Sequence, residues 1–175
     1  MSDFSQVFDL FDELARNDNA LRVAALTAHT VHKDRIFGKG EDAAGGTIGK
    51  YSRKPLYVSQ SQSPVRLNPK GKTGKNKFKD GTAHKSQYFD QGYFGFRGQV
   101  GRQTGFVDLR LSGQMEQDYG LDARAGAYVS GFSNSTNYKK ATGNEAHFKK
   151  DIFSVSEEEM DVFVDVYEDE IFKGL

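Results

Sequence analysis

The middle of the chain, residues 38–92, shows no sustained hydrophobic period, and this limits the cores that the chain can build. Gly45 and Gly46 interrupt any helix there, and the short run 56–58 (LYV) is a strand candidate. Residues 68–86 (NPKGKTGKNKFKDGTAHKS) are basic and almost lack aliphatic side chains, so we expect a mobile loop, or an arm that a neighbouring copy orders. The core must therefore come mainly from the flanking segments.

Helical patterns occupy residues 2–37. Apolar side chains first recur at spacings of three and four, at Phe4, Val7, Phe8, Phe11 and Leu14. Residues 17–19 (NDN) then interrupt the pattern and suit the N-cap of a second helix, which we expect from about residue 20 to residue 37, with Gly38 as its stop. The two segments are equally compatible with one kinked helix.

The clearest helix signal lies at residues 156–172. Ser156 is a suitable N-cap, and Glu159 three residues later completes a capping box. The acidic first turn complements the helix dipole, so an exposed, purely structural role explains these carboxylates. The helix is expected to present an apolar stripe made of Met160, Phe163, Val164, Tyr167 and Ile171.

Residues 93–133 have sequence patterns typical of β-strands. An aromatic run at 93–96 opens the region, and 106–111 alternates apolar and polar side chains. A strand at 125–132 is expected to pair antiparallel with 106–111, beyond a short helical turn at 114–119.

One further turn is predicted at 134–137. The resulting order is helix, helix, three strands and helix. We therefore predict an α+β fold, in which N-terminal and C-terminal helices pack on a small antiparallel sheet and residues 38–92 form long extended loops or an arm. A length of 175 residues fits a single domain, 1–175.

Charge is unevenly distributed along a chain whose net charge is zero. Residues 50–85 contain ten basic side chains against one acidic, Asp80, while residues 151–170 contain nine acidic side chains and no basic one. Such blocks attract one another between neighbouring copies or face different partners, and each is also compatible with a solvated surface. The predicted subunit or DNA contacts are Arg66, Lys70, Lys72, Lys75, Lys77 and Lys79, and the predicted subunit contacts are Glu157, Glu158, Asp161 and Asp165.

No motif predicts an active site, a cofactor or a metal centre. Gly71-Lys72-Thr73 resembles the end of a P-loop but lacks the upstream glycine, the preceding strand and the following helix. His29 and His32 have no suitable third ligand nearby, so we interpret them as ordinary surface or interface histidines. The absence of cysteine excludes disulfides and thiolate metal sites, and we expect neither a signal peptide nor a transmembrane helix.

Several segments, in their order along the chain, resemble phage and prophage virion-morphogenesis proteins of Bacteroidetes-type hosts. They span roughly residues 20–172 discontinuously: RIFGKG at 35–40, GTIGKYS at 46–52, GYFGFR at 92–97, GRQT at 101–104, VDLRLSGQM at 107–115, GFSN at 131–134, NEAHF at 144–148, IF at 152–153 and SEEE at 156–159. The family is similar to the tail-completion, neck and head–tail connector group that includes the HK97 gp10-like and Mu G-like proteins. The basic segment 68–86 departs from its pattern.

The resemblance implies a structural subunit without catalytic residues. Such a subunit forms a homo-oligomeric ring, twelve-fold or six-fold, that joins the portal or adaptor to the tail proteins. It is made in the host cytoplasm and located in the virion, with non-specific contact to DNA in the channel as an option. The alternative is a nucleic-acid-binding accessory protein of a phage or prophage, although a pI of about 6.9 is far from the basic values typical of such proteins.

Overall fold

A computed structural model describes residues 18–124 and 127–173 of the chain. Within these residues there are five α-helices: α1 (Asp18–Lys33), α2 (Gly92–Gln99), α3 (Gln114–Asp118), α4 (Ser135–Phe148) and α5 (Glu157–Phe172). There are also four strands: β1 (Leu56–Ser59), β2 (Ser86–Phe89), β3 (Tyr119–Arg124) and β4 (Ala127–Phe132). Helices α1 and α5 pack against each other, and the predicted α+β class is confirmed. The helical pattern predicted from Phe4 to Leu14 lies outside the described residues.

The four strands form two separate antiparallel sheets of two strands each. In the first, β1 pairs with β2 so that Leu56 lies opposite Phe89, which confirms the strand predicted at 56–58. In the second, β3 pairs with β4 so that Tyr119 lies opposite Phe132. The strand predicted within 125–132 is therefore present, but its partner is β3 and not the predicted segment.

The aromatic run at 93–96, predicted as the start of a strand region, belongs to helix α2. Tyr93, Phe96 and Val100 are spaced by three and four residues, so a helix turns all three toward one side. There they pack with Phe89 and its neighbours in the smaller of two hydrophobic clusters. The β prediction was wrong because aromatic residues favour strands locally, whereas this packing surface is helical.

The alternating segment 106–111 is irregular and not a strand. Its backbone uses a side chain as a partner, since the Arg110 N–H donates to Asp108 Oδ1 at 2.9 Å. Leu109 adopts a left-handed conformation with a φ of +53°, which interrupts any extended ladder. The alternation did indicate an inward-facing Val107, which is fully buried, but bonds between side chain and backbone replaced those of a sheet.

Residues 134–137, predicted as a turn, are the start of helix α4. Asn134 is the N-cap, and its side chain accepts a hydrogen bond from a first-turn N–H at 2.8 Å. Asp118 accepts further bonds from the Asn134 N–H and the Asn137 side chain, which fastens this helix end to α3. Because the buried side chains of α4 are Asn137 and Ala141, no apolar stripe marks this helix in the sequence.

The chain leaves α1 through one wide turn of π-helix, Asp34–Lys39, and the two together cover the helix predicted over 20–37. The wide turn buries three successive side chains: Arg35, Ile36 and Phe37. Gly40, and not Gly38 as predicted, ends the turn with a φ of +71°. A side chain on Gly40 would lie 2.5 Å from the Val107 carbonyl oxygen, so glycine is required there.

The larger hydrophobic cluster is rich in aromatic rings. Its buried members are Ile36, Phe37, Ile48, Val107, Met115, Tyr119, Ala141 and Ile152. The Tyr119 ring lies 4.8 Å from that of Phe132 and 5.6 Å from that of Phe153, measured between centroids. Large rings thus supply much of the apolar contact in a chain whose mean hydropathy is only -0.66.

A buried carboxylate, that of Glu159, joins α5 to α1. Arg35 Nε donates to Glu159 Oε1 at 2.6 Å, and His32 Nδ1 lies 3.1 Å from Glu159 Oε2. The exposed fractions of the Arg35 and Glu159 side chains are 4% and 1%. The prediction of an exposed acidic first turn is therefore wrong for Glu159, because this residue is the counter-charge of a buried arginine.

The same carboxylate completes the start of α5. The Ser156 N–H donates to Glu159 Oε2 at 2.8 Å and the Glu159 N–H donates to Ser156 Oγ, so the predicted capping box is confirmed. Burial raises the pKa of Glu159, but hydrogen bonds from His32, Arg35 and the Ser156 backbone outweigh it and lower the pKa to about 2. The side chain is therefore ionised at neutral pH.

Glu159→Gln is expected to destabilise the fold by about 3 kcal/mol, because it leaves the buried Arg35 guanidinium without a counter-charge. The measurement is urea unfolding of the full chain at neutral pH. Glu158→Gln is the matched control: Glu158 is exposed in the same turn, so its free energy of unfolding should change by less than about 0.5 kcal/mol. Equal effects of the two substitutions would contradict this role of Glu159.

The stabilisation by Glu159 is also expected to depend on pH. Because folding lowers the pKa of this carboxyl from 4.5 to about 2, its contribution is fully present above pH 4.5 and is lost as the pH falls toward 2. The difference in unfolding free energy between wild type and Glu159→Gln should shrink across this interval, as measured by urea titrations at successive pH values. A difference that stays constant would mean that folding does not perturb this carboxyl.

Candidate interaction surfaces

The basic loop, residues 68–86, is held by its own backbone hydrogen bonds. It makes two tight turns, in which the Gly74 N–H donates to Gly71 O at 3.0 Å and the Gly81 N–H donates to Phe78 O at 3.1 Å. Gly74 and Gly81 both have positive φ, at 78° and 86°. The segment is a loop, as predicted, and no helix follows its P-loop-like residues.

The cations predicted as contacts lie on or beside this loop. Five of the six are exposed and Lys70 is half-buried: Arg66, Lys70, Lys72, Lys75, Lys77 and Lys79. None of them pairs with a carboxylate in the described parts of the chain. Phe78 is 52% exposed and lies against His84, with ring centroids 3.8 Å apart. The loop thus offers positive charge next to an accessible aromatic ring.

Helix α5 presents an outer face that is both acidic and apolar. All four predicted contact residues are exposed: Glu157, Glu158, Asp161 and Asp165. Among them lie three large apolar side chains that are 52%, 42% and 68% exposed: Met160, Val164 and Phe172. We call the exposed side chains of Glu157, Met160, Asp161, Val164, Asp165 and Phe172 the outer face of α5.

The orientation of α5 corrects the predicted apolar stripe. Phe163, Tyr167 and Ile171 are partly buried, whereas Val164 is exposed and Met160 is exposed at the edge of a cleft that α1 also lines. The reason is that the buried ion pair of the first turn sets which side of the helix meets α1. Within the described residues no ion pair joins the basic loop to α5.

A third surface, which sequence reasoning missed, is a groove of about 460 Å³ between the segment at 50–52, helix α2, residues 107–115 and helix α4. Its floor is apolar and includes Tyr51, Leu109, Leu111, Met115 and Phe148. Its rim carries Lys50, Lys140 and His147, and no carboxylate lines it within the described residues. We call it the cationic groove.

A buried ion pair supports the floor of the cationic groove. Arg97 Nη2 donates to Asp108 Oδ1 at 2.8 Å, and the Tyr51 hydroxyl donates to the same oxygen at 2.7 Å. The Arg97 guanidinium also lies over the Tyr51 ring, 4.1 Å from its centroid. Burial raises the pKa of Tyr51, with the Asp108 carboxylate adding to the effect, so the hydroxyl remains a donor at neutral pH.

Leu109 reaches the cationic groove through a strained backbone conformation. A φ of +53° is uncommon for a bulky residue and costs on the order of 1–3 kcal/mol. It persists because the neighbours are fixed: Asp108 by Arg97, and Arg110 by a two-atom ion pair with Glu116. A positive φ leaves no signature in a Val-Asp-Leu-Arg-Leu pattern, which explains why the sequence did not indicate this surface.

The two histidines of α1, His29 and His32, both make contacts within the fold. His32 is buried, and its Nε2 lies 3.0 Å from the Tyr119 hydroxyl oxygen, so its interpretation as a surface or interface residue was wrong. His29 Nδ1 lies 2.9 Å from Ser130 Oγ, and burial, followed by the charges of Lys33 and His32, lowers the pKa of His29. Over residues 18–124 and 127–173, no three metal-ligating side chains gather, and no helix has the length and apolarity to cross a membrane.

Comparisons of the chain with protein-family models, curated proteins and solved structures gave no match. The three surfaces are therefore interpreted from their own chemistry.

Tyr51→Phe is expected to destabilise the fold by about 1–2 kcal/mol, because the buried Asp108 carboxylate loses one of its donors while the ring is retained. The measurement is again the free energy of unfolding in urea. Tyr138→Phe serves as the control, since Tyr138 is 59% exposed on α4, and should be neutral within about 0.5 kcal/mol. A neutral Tyr51→Phe would show that the hydroxyl does not stabilise the groove floor.

Proposed function

We propose that the chain is a structural subunit of a bacteriophage neck ring, which joins the portal or adaptor to the tail, helps tail completion and resides in the virion. The observation that carries the proposal is the pair of unlike surfaces on one subunit. The basic loop and the outer face of α5 have opposite charge, and neither is neutralised by a partner within the described residues.

Unlike surfaces are what a ring requires. In a head-to-tail ring each subunit uses one patch to bind its neighbour on one side and a different patch on the other side. Opposite charges on the two patches favour this arrangement and disfavour symmetric pairing of like patches. The exposed Met160, Val164 and Phe172 add apolar area to one of them, which surface charge alone would not supply.

The assignment to the neck rests on the resemblance of the sequence segments. Four of those segments contain the residues of the two buried ion pairs of the fold. RIFGKG at 35–40 contains Arg35 and most of the π turn, and SEEE at 156–159 contains the buried Glu159. GYFGFR at 92–97 and VDLRLSGQM at 107–115 contain the Arg97–Asp108 pair.

A second candidate function, binding of nucleic acid as an accessory protein, is favoured by the unpaired cations of the basic loop. Lysines that neutralise phosphates give affinity without sequence preference. A chain with zero net charge has no overall field to attract DNA, so this activity would depend on the loop alone.

The test removes the gene from the phage or prophage that carries it and supplies the protein in trans. Purified particles are examined by electron microscopy and protein mass spectrometry. We expect the protein in complete particles, and heads without tails when it is absent. The combined substitutions Lys75→Glu, Lys77→Glu and Lys79→Glu should lower the yield of complete particles by about tenfold, because the loop would then carry the wrong charge for its partner in the neck.

The matched control is Lys139→Glu, an exposed lysine on α4 outside the loop, which should leave the yield unchanged. Absence of the protein from purified particles would overturn the proposal. If the isolated protein then bound duplex DNA with an affinity that falls steeply with salt, the accessory function would take its place.

A further inference from the structure

We propose that the cationic groove of one subunit receives the outer face of α5 from a second copy of the chain. The inference rests on the proposed ring function and refines it: the outer face of α5 would meet the groove of its neighbour, which leaves the basic loop for another contact of the ring. Both surfaces lie wholly in the described residues, and the sequence had indicated only one of them.

The groove has the chemistry of a site for an acidic, apolar helix. Apolar side chains form its floor, and the exposed residues Lys50, Lys140 and His147 line its edge. The Lys140 ammonium group lies 3.5 Å from the Asn137 Oδ1 atom. Its volume of about 460 Å³ lies in the range of sites that enclose ligand groups, which is roughly 300–1,000 Å³. The charge of Arg97 is already matched by Asp108, so the rim determines the electrostatic preference.

The groove is also preformed, because interactions within the subunit fix its shape. The ion pair of Arg97 with Asp108 and the bond from Tyr51 fix the floor, and they impose the left-handed conformation that brings Leu109 into the groove. Strain of this kind persists only where the surrounding structure determines it, and it concentrates at functional positions. A preformed site lowers the ordering cost of association.

The outer face of α5 fits this site in spacing and in charge. Met160 and Val164 are four residues apart, so they lie one turn above the other, and Phe172 lies two further turns along the same face. Helices that dock into apolar grooves use anchors at this spacing. Asp161 and Asp165 border the apolar row and would face the lysines of the rim.

Two further observations determine which molecule supplies the helix. The opposite side of α5 packs on α1 of its own subunit through Glu159, whereas Asp161, Val164, Asp165 and Phe172 remain exposed on the outer face. The basic loop, the other unpartnered charged surface, has the same sign as the groove rim and would be repelled. Among the charged surfaces of the described residues, the outer face of α5 has the charge that complements the groove, so we assign a second copy of α5 as the occupant.

Cysteine cross-linking tests the docking directly, because the natural chain contains no cysteine. Ser112 is exposed at the groove and Val164 is exposed on α5, so S112C with V164C places one thiol on each surface. Particles assembled with this double variant are oxidised and separated on non-reducing gels. We expect a ladder of covalent multimers, whereas either single variant should give dimers at most.

The control pair is T73C with V164C, which places the first thiol on the basic loop instead of the groove. Particles that contain the protein but give a ladder only with this pair would overturn the groove assignment and leave the ring function standing. Particles that contain the protein and give no ladder with either pair would also overturn it. Absence of the protein from particles would overturn the proposed function itself, and this inference with it.

Charge exchange supplies a second measurement. Lys50→Glu with Lys140→Glu should lower the cross-linked fraction about tenfold, because carboxylates would then face carboxylates. Adding Asp161→Lys and Asp165→Lys to the same chain should restore it. A loss without restoration would exclude these charges as partners, and an unchanged cross-linked fraction would exclude electrostatic complementarity between the two surfaces.

Discussion

Glu159 holds a negative charge where water is excluded, and the arrangement of both ends of the described chain follows from how that charge is matched. Its partner Arg35 uses its remaining donors on backbone carbonyl oxygens: those of Glu41 and Ile152 at 3.0 and 3.2 Å, and that of Ser154 at 2.8 Å. One guanidinium thus fixes the exit from the π turn, the segment before α5 and the first turn of α5. A buried pair of this kind contributes little net stability compared with apolar packing, but it admits one geometry only.

A second buried ion pair of this kind lies beneath the cationic groove. Arg97 matches the buried charge of Asp108 and also donates through Nε to the Gln103 carbonyl oxygen at 3.0 Å, so an irregular segment is again held by a planar fork of donors. Within the described residues every buried side-chain nitrogen and oxygen has a hydrogen-bond partner. Long segments outside helices and strands therefore keep a defined shape without disulfides, which a chain lacking cysteine cannot form.

The elements that the sequence predicted correctly are those that depend on neighbouring residues. The capping box of Ser156 and Glu159, the body of α1 and the strand at 56–58 depend on local spacing and on local turn chemistry. Helix α4 was missed because its surface is polar on most sides, and α2 because aromatic residues were assigned to strands. The burial of Glu159 was missed for a different reason: its partner lies 124 residues away, and a single sequence does not indicate which distant charge will meet it.

The candidate surfaces also differ in whether the sequence indicated them. The basic loop and the acidic helix were visible as blocks of charge, whereas the cationic groove depends on four segments that only the tertiary fold brings together. This difference bears on assembly. Exposed charges are screened over about 8 Å at physiological salt, so the rim lysines would steer the helix of a neighbour while contributing modestly to affinity.

On the proposed docking, the apolar anchors of α5 supply most of the attraction, and they are few. A single contact between two free subunits would then be weak. Once several copies stand side by side on a portal or adaptor, each helix faces its groove at high effective concentration, and the contacts strengthen without any new interaction. On this proposal, closure of the ring would cover the exposed Met160, Val164 and Phe172 of every subunit, which an open chain of subunits would not achieve. Because each contact has few apolar anchors, we expect the subunits to assemble only where the portal or adaptor holds many copies together.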